Sequence, residues 1–179
     1  MKFYPLQQAY KQTSNKKAFN LIELTITLAL IIITTTLAFS SLTQHKGQHI
    51  AAEANALRSA LWHLQNIARA QNKQKTLVFN EAENSYHYNG ETHKLCRKVK
   101  FGTLQNVLGP PSSPKKQLKK SITFKNHEII VTPQGILQSG TVYLIDDAQQ
   151  LIYAITVPIA GVSFIRIYRY HNKQWHVYT

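Results

Sequence analysis

One segment of this 179-residue chain restricts its fold more than any other. Residues 19–42 form an almost uninterrupted apolar run, FNLIELTITLALIIITTTLAFSSL, in which Glu23 is the single charged residue. As an α-helix the run would be about 36 Å long, at about 1.5 Å per residue, which is enough to cross the hydrocarbon core of a bilayer. The slightly negative mean hydropathy of the whole chain excludes a polytopic membrane protein.

The sequence before the apolar run predicts how the chain is oriented in a membrane. Residues 1–18 contain four lysines and no acid, and Lys16 and Lys17 directly precede the run. This basic flank predicts a cytoplasmic N-terminus and an extracytoplasmic remainder. A secretory signal peptide fits less well, because the run is long and lacks a small-x-small cleavage site. A simple anchor also fits less well, because the Glu23 carboxylate is costly in hydrocarbon.

The sequence after the run indicates an amphipathic helix over residues 43–74. Apolar residues recur at alternating steps of four and three, which places them on one helical stripe. No proline interrupts residues 19–72, so the pattern predicts one continuous helix of about 80 Å, with Gly47 as the point where it can bend. The stripe consists of Ile50, Ala54, Leu57, Leu61, Leu64 and Ala68.

From residue 75 onward the sequence predicts a β-rich domain that ends at residue 179. Short runs of branched and aromatic residues alternate with turn residues, as in antiparallel sheets. Residues 102–120 hold three prolines and four lysines, and they predict a mobile, solvated loop. The expected fold class is therefore α+β, a long N-terminal helix packed on antiparallel sheets. The candidate strands are 76–80, 84–89, 95–101, 121–125, 128–132, 140–145, 150–157, 162–170 and 174–178.

Residues 16–24, KKAFNLIEL, resemble the processing signal of type IV prepilins. The family pattern is a basic leader, a small residue that is usually glycine, a phenylalanine, and a glutamate five residues into the mature chain. Here Ala18 stands where glycine is usual, and Asn20 stands where threonine is common. The resemblance implies that residues 1–18 are a leader with Lys16 and Lys17 as its basic residues. It also implies that a prepilin peptidase cuts between Ala18 and Phe19 and that the new amino group of Phe19 is N-methylated.

The rest of the chain is similar to the minor pseudopilins of the type II secretion protein H and FimT group. The similarity lies in the helix 56–69, the strand 76–79, and the strand pair 140–144 and 161–167. It implies a pilin-like fold in which residues 19–42 span the membrane and drive assembly. It also implies a single-pass protein of the bacterial inner membrane whose partners are the peptidase and other major and minor pilins or pseudopilins. Residues 43–74 would be the amphipathic half of the helix, and residues 75–179 the extracytoplasmic domain.

Glu23 has a physical role that can be argued from its position. When apolar helices leave the lipid and bundle together, a buried carboxylate is stabilised only beside a cation, so it selects one register between neighbours. The N-terminal amine of the neighbouring subunit is the obvious cation. Glu23 is therefore the predicted assembly residue.

The sequence offers no catalytic constellation, and we expect neither an enzyme nor a cofactor. The eight histidines fall in no metal-ligand spacing with acids or with Cys96, so no metal site is predicted. A phosphate-binding glycine loop, a nucleophile elbow and a carboxylate pair are all missing from the sequence. A membrane-anchored enzyme with an extracytoplasmic β domain is accordingly the third of three candidate functions. The leading function is a minor pseudopilin subunit of a type II secretion system.

The alternative function is a FimT-like minor pilin of a type IV pilus or competence system that binds DNA for uptake. Some proteins of this group use two arginines two positions apart in a C-terminal Gly-Arg-x-Arg segment. Here Arg166 and Arg169 are three positions apart, and Gly161 is not adjacent to Arg166. In a regular strand over residues 162–170, Arg166 and Tyr168 would share one face with Phe164 and Tyr170, and Arg169 would share the other with Ile165 and Ile167. An arginine with flanking tyrosines can bind phosphates and stack on bases. A basic arm would be added by Lys115, Lys116, Lys119 and Lys120.

The charge of the chain fits both functions. There are 21 Lys and Arg residues against 8 Asp and Glu, a formal charge of +13. Cleavage after Ala18 would remove four lysines and leave 17 basic and 8 acidic residues, or +9. The excess that survives lies in region 94–125 and in the C-terminal strands, where an acidic partner is expected.

Overall fold

The computed structural model describes residues 20–44, 47–105, 107–109, 116–159 and 164–178, with the backbone alone for residues 37–44. Over these residues it shows an α+β protein with two α-helices and two antiparallel sheets. The chain divides into two units, Met1–Thr43 and Gln44–Thr179. The predicted leader, Lys16, Lys17, the Ala18–Phe19 cleavage site and Lys115 lie outside the described residues.

The first unit contains helix α1, Leu21–Gln44, except for its last residue. Asn20 directly precedes the helix, and its carbonyl accepts the backbone N–H of Glu23 at 2.9 Å. Within the described residues, no helix combines the length and the apolar character that crossing a membrane requires.

The second unit begins with helix α2, Gln48–Gln71, which starts at a glycine in the left-handed region. Gly47 has φ 98°, a conformation that residues with a Cβ rarely adopt. The single helix predicted through residues 19–72 is thus described as two helices, and residues 45–46 lie outside the description. Asn72, also left-handed with φ 47°, ends α2 and donates its N–H to the Arg69 carbonyl at 3.2 Å.

The predicted stripe of α2 is confirmed as the side of the helix that faces the core. All six of its residues are at most 1% exposed. The same face carries Gln65, which lies off the predicted stripe but is buried, and whose amide donates to the Gly135 carbonyl at 2.8 Å. A hydrogen bond of this kind offsets the cost of burying the amide.

In the described part of the chain, nine short strands form the two sheets. The first sheet has the order β3-β2-β1-β5 and the second has the order β4-β6-β7-β8-β9. A short 3-10 helix, Lys125–His127, precedes β5. The strands are β1 Lys75–Asn80, β2 Ser85–Tyr88, β3 Glu91–Lys94, β4 Val99–Phe101, β5 Glu128–Val131, β6 Gly140–Asp146, β7 Ile152–Val157, β8 Arg166–His171 and β9 Gln174–Tyr178.

One predicted strand is wrong, and one observed strand lies outside the predictions. Residues 121–125 form no strand, because they contribute only a single bridge, from Ile122 to Val142 of β6, before the 3-10 helix. Strand β3 was not among the candidates, since its four residues are exposed and carry no apolar signal. Pairing with β2 places them in the sheet.

The second sheet is buried on both faces, which the sequence did not indicate. One face belongs to the core that includes the stripe of α2, and the other has a separate apolar cluster. Segments from residues 102–120 cover that outer face. The cluster consists of Val107, Tyr143, Ile145, Ile152, Ala154 and Tyr168, with Leu104, Leu118, Tyr170 and Trp175 packed against it.

The expectation of a mobile, solvated loop is therefore wrong for the described part of residues 102–120. Val107 is only 5% exposed, and Leu108 bridges to Gln117. The Trp175 indole N–H donates to the Leu108 carbonyl at 2.9 Å. The physical reason is that the outer face of the sheet is apolar and is stabilised when it is removed from water. Leu104, Val107 and Leu118 pack against this face and shield it.

Candidate functional site: an apolar helix and a basic groove

Helix α1 exposes aliphatic side chains on all of its sides. The nine large aliphatic residues of its described part have exposed fractions of 50 to 78%. A helix that is apolar all round is stable only where an apolar medium surrounds it. These residues are Leu21, Ile22, Leu24, Ile26, Leu28, Leu30, Ile31, Ile32 and Ile33.

The threonines of α1 do not make this surface polar. The Thr25 hydroxyl donates to the Ile22 carbonyl at 2.8 Å, and the Thr36 hydroxyl donates to the Ile32 carbonyl at 2.7 Å. Thr27, Thr34 and Thr35 bond to preceding carbonyls in the same way. Because each hydroxyl is satisfied within the helix, it can enter an apolar environment at little cost.

Glu23 is the single charged residue in the sequence of α1, and it lies in the first turn. Its side chain is exposed, and a carboxylate there is favoured by the helix dipole. The predicted partner, the amine of Phe19, lies outside the described residues.

The second unit contains a groove of about 550 Å³ at the end of the second sheet where β6 begins and β7 ends. We call it the basic groove. Its lining combines lysines from the covering segment with hydroxyl-bearing residues of the sheet. The lining residues are Gly109, Lys116, Gln117, Leu118, Lys119, Lys120, Thr123, Ser139, Gly140, Thr141, Tyr143, Thr156, Val157 and Pro158.

The floor of the basic groove is polar but uncharged. Strand register pairs Thr141 of β6 with Thr156 of β7, and their hydroxyl oxygens are 3.2 Å apart. The Thr123 hydroxyl accepts the Thr141 N–H at 2.7 Å. Burial raises the pKa of Tyr143 to about 12, although a hydrogen bond with Thr141 lowers it in part. The Tyr143 hydroxyl is therefore neutral at physiological pH.

The rim of the basic groove is cationic. Lys116, Lys119 and Lys120 are all exposed. Among the lining residues that the structure describes, none is acidic. Without a local carboxylate to neutralise them, the three ammonium groups create a positive potential over the groove.

Arg166 lies beside the basic groove. It is the cross-strand partner of Thr156, and such partners have Cβ atoms about 5 Å apart on the same face. Its guanidinium lies over the Phe164 ring at 4.7 Å and approaches the Tyr168 hydroxyl at 3.5 Å. Arg166 is therefore adjacent in the sheet to Thr156, a lining residue of the groove that also contains three of the four lysines singled out in the sequence.

Tyr168 cannot stack on a base, which corrects the sequence-based interpretation of β8. It does share a face with Arg166, but it is only 6% exposed because the covering segment packs over it. Arg169 lies on the opposite face, as predicted for a regular strand, and pairs with Tyr153 in register. Its Nε is buried and has no hydrogen-bond partner among the described residues.

Sequence reasoning missed the floor of the groove, namely Thr123, Thr141, Tyr143 and Thr156. Each looks like an ordinary strand residue. The only signal that could have found them is the pairing of β6 with β7, which puts Thr141 opposite Thr156.

The histidines and Cys96 form no further site in the described part of the chain. No group of three or more His, Cys, Asp or Glu side chains is placed there to hold a metal ion. Cys96 has a free, half-buried thiol, and its backbone N–H donates to the Glu53 carboxylate at 3.0 Å.

No protein-family model matches this chain, and no match is found among curated proteins or solved structures.

Proposed function

We propose that this chain is a minor pseudopilin subunit of a type II protein secretion system. A prepilin peptidase cleaves it between Ala18 and Phe19 and methylates the new amine. The mature protein lies in the bacterial inner membrane with its β-rich unit outside the cytoplasm, and it then joins a short pseudopilus. The observation that carries the proposal is helix α1, apolar on every side, with Glu23 as its single charge.

The surface of α1 suits two environments in turn. Before assembly, the exposed aliphatic side chains and internally bonded threonines are compatible with lipid. After assembly, the same surface packs against the helices of neighbouring subunits. The proposed span, residues 19–42, extends beyond the side chains that the structure describes, which are those of residues 20–36.

Replacement of Glu23 tests this function. Glu23→Ala should leave the protein in the membrane fraction but reduce its co-purification with partner pilins or pseudopilins, because the charge that selects the register is lost. Glu83→Ala is the matched control, since Glu83 is an exposed acid in the turn between β1 and β2. Normal co-assembly of Glu23→Ala, or an equal loss in the control, would contradict the proposal.

A second candidate function is a DNA-binding minor pilin of a type IV pilus or competence system. The presence of Lys116, Lys119 and Lys120 in one groove, with Arg166 paired to its lining residue Thr156, favours it. The burial of Tyr168 removes the stacking contribution, so phosphate contacts alone would have to supply the affinity. Duplex binding that weakens steeply with salt and depends on these four cations would place this function first.

A further inference from the structure

We propose that the basic groove is a docking site for an acidic polypeptide segment of a partner protein. The site lies in the second unit, so the proposal goes beyond the assembly role of α1 and does not depend on it. Its basis is the charge of the groove, the chemistry of its floor and the burial of the aromatic residues near it.

The charge of the groove is not balanced by the surrounding sequence. Residues 92–127 and 148–179 contain no Asp or Glu. The nearest acids on the sheet are Asp146, the last residue of β6, and Asp147, which follows it at the far end of the hairpin with β7. Asp146 and Thr141 are five positions apart along the strand, which is about 17 Å. That distance exceeds the screening length at physiological salt, so the lysines remain available to an external anion.

The floor suits the neutral groups of a peptide. The Thr123 hydroxyl already bonds to the backbone of Thr141, and the Thr141 hydroxyl already pairs with that of Thr156. Each hydroxyl oxygen keeps a lone pair that can accept a peptide N–H group. The volume of about 550 Å³ lies within the range of sites that hold a compact ligand. A short segment could place its backbone over this floor and its carboxylates against the lysine rim.

The aromatic residues nearby argue against a nucleic-acid strand as the occupant. Single strands gain much of their affinity by stacking bases on exposed aromatic rings. Tyr143 is 2% exposed, and Tyr168 is buried in the same cluster. Phe164 is 37% exposed, but Arg166 already lies over its ring. Among the described residues at the groove, no free aromatic platform is left, so carboxylates are the favoured anions.

The test measures binding of a dye-labelled oligoglutamate peptide to the full chain in detergent micelles. The groove variant is Lys116→Ala/Lys119→Ala/Lys120→Ala. The matched control is Lys94→Ala/Lys98→Ala/Lys125→Ala, which removes the same charge from exposed lysines that do not line the groove. Because exposed ion pairs each contribute modestly, we expect an affinity loss of about tenfold in the groove variant and little change in the control. Circular dichroism verifies that both variants remain folded.

A single-stranded and a duplex oligonucleotide, titrated in parallel, complete the experiment. Oligoglutamate binding that is lost only in the groove variant supports the proposal. Absence of oligoglutamate binding, or an equal loss in the control, overturns it. Tighter binding of either oligonucleotide through the same three lysines also overturns it and assigns the groove to nucleic acid. None of these outcomes depends on the Glu23 experiment, so the two proposals can fail separately.

Discussion

At the scale of single residues, two buried tyrosines couple the stability of the second unit to alkaline pH. Burial raises the pKa of Tyr143 to about 12. Burial also raises the pKa of Tyr86 to about 12, with smaller contributions from Glu53 and Tyr88. In the unfolded chain both groups ionise near pH 10. Between pH 10 and 12 the folded state therefore holds more protons than the unfolded state, and its free energy of unfolding falls as pH rises.

Tyr143→Phe tests this linkage. The variant lacks one of the tyrosines whose pKa is raised by burial, and Tyr153 is another, so its free energy of unfolding should fall less steeply between pH 10 and 12 than that of the wild type. The measurement is urea unfolding at a series of pH values. Tyr86→Phe should give a similar reduction, and the double variant should show a shallower slope than either single variant, with Tyr153 still contributing. An unchanged slope in the double variant would contradict the assignment.

Gly135 provides a second prediction about a single residue. It has φ 77°, and a Cβ at this position would meet the Arg69 guanidinium, whose Nε–H donates to the Gln134 carbonyl at 3.1 Å. Gly135→Ala should therefore lower the free energy of unfolding for two reasons, the strain of a left-handed alanine, about 1–2 kcal/mol, and the displacement of the Arg69 side chain. Gly90→Ala is the control, because Gly90 also has a positive φ, 84°, but its Cβ would meet nothing within 4 Å.

Denaturant unfolding of both glycine variants separates the two costs. We expect Gly135→Ala to lose about 1 kcal/mol more than Gly90→Ala. Adding Arg69→Ala to Gly135→Ala should remove most of that excess, since the side chain that was displaced is gone. Equal losses in Gly135→Ala and Gly90→Ala would show that Arg69 shifts without cost.

At the scale of elements, α2 holds the second unit together through its apolar stripe. Leu61→Asp should unfold this unit, because an unpaired charge would be buried at a position that is 1% exposed. Leu61→Ala, which leaves a cavity without a charge, should cost about 2–5 kcal/mol. Asn66→Asp is the control, since Asn66 is exposed on the same helix and the same charge is added there. Thermal unfolding followed by circular dichroism would contradict the core role if Leu61→Asp matched the control.

The elements also show how far a sequence pattern predicts structure. The stripe of α2 was predictable because a helical period of 3.6 residues marks its buried face directly. Strand β3 was not predictable, since it is an exposed edge strand held by pairing with β2. The cover over the second sheet was missed because Val107 and Leu118 are scattered among prolines and lysines. Their burial depends on a sheet face formed by distant residues.

At the scale of the whole molecule, one candidate site could be predicted from local sequence, and the other depends on contacts between distant residues. Glu23 and its apolar helix could be found from sequence because the signal is local and continuous. The basic groove could be found only in part, since Lys116, Lys119, Lys120 and Arg166 stood out as charges in separate segments. The proximity of Arg166 to the groove depends on the pairing of β7 with β8, which places it beside the lining residue Thr156. The hydroxyl floor depends entirely on such pairings.

Processing at the N-terminus determines the mature form of the molecule. In a host with an active prepilin peptidase, the purified protein should begin at N-methylated Phe19. Removal of residues 1–18 takes away four lysines, so the formal charge should fall from +13 to +9. Methylation keeps the terminal amine basic, so that cation remains available to the Glu23 carboxylate of a neighbouring subunit.

Intact-mass and N-terminal measurements on the full-length product check this processing. A host without the peptidase is the control, and its product should retain Met1 together with the leader lysines. Ala18→Gly restores the residue that is usual in the family pattern, so it should be cleaved at least as completely as the wild type. Protein that retains Met1 in the presence of active peptidase would contradict the processing site. The positive charge of residues 1–18 would then persist in the mature chain, and an amine at Phe19 could not pair with Glu23.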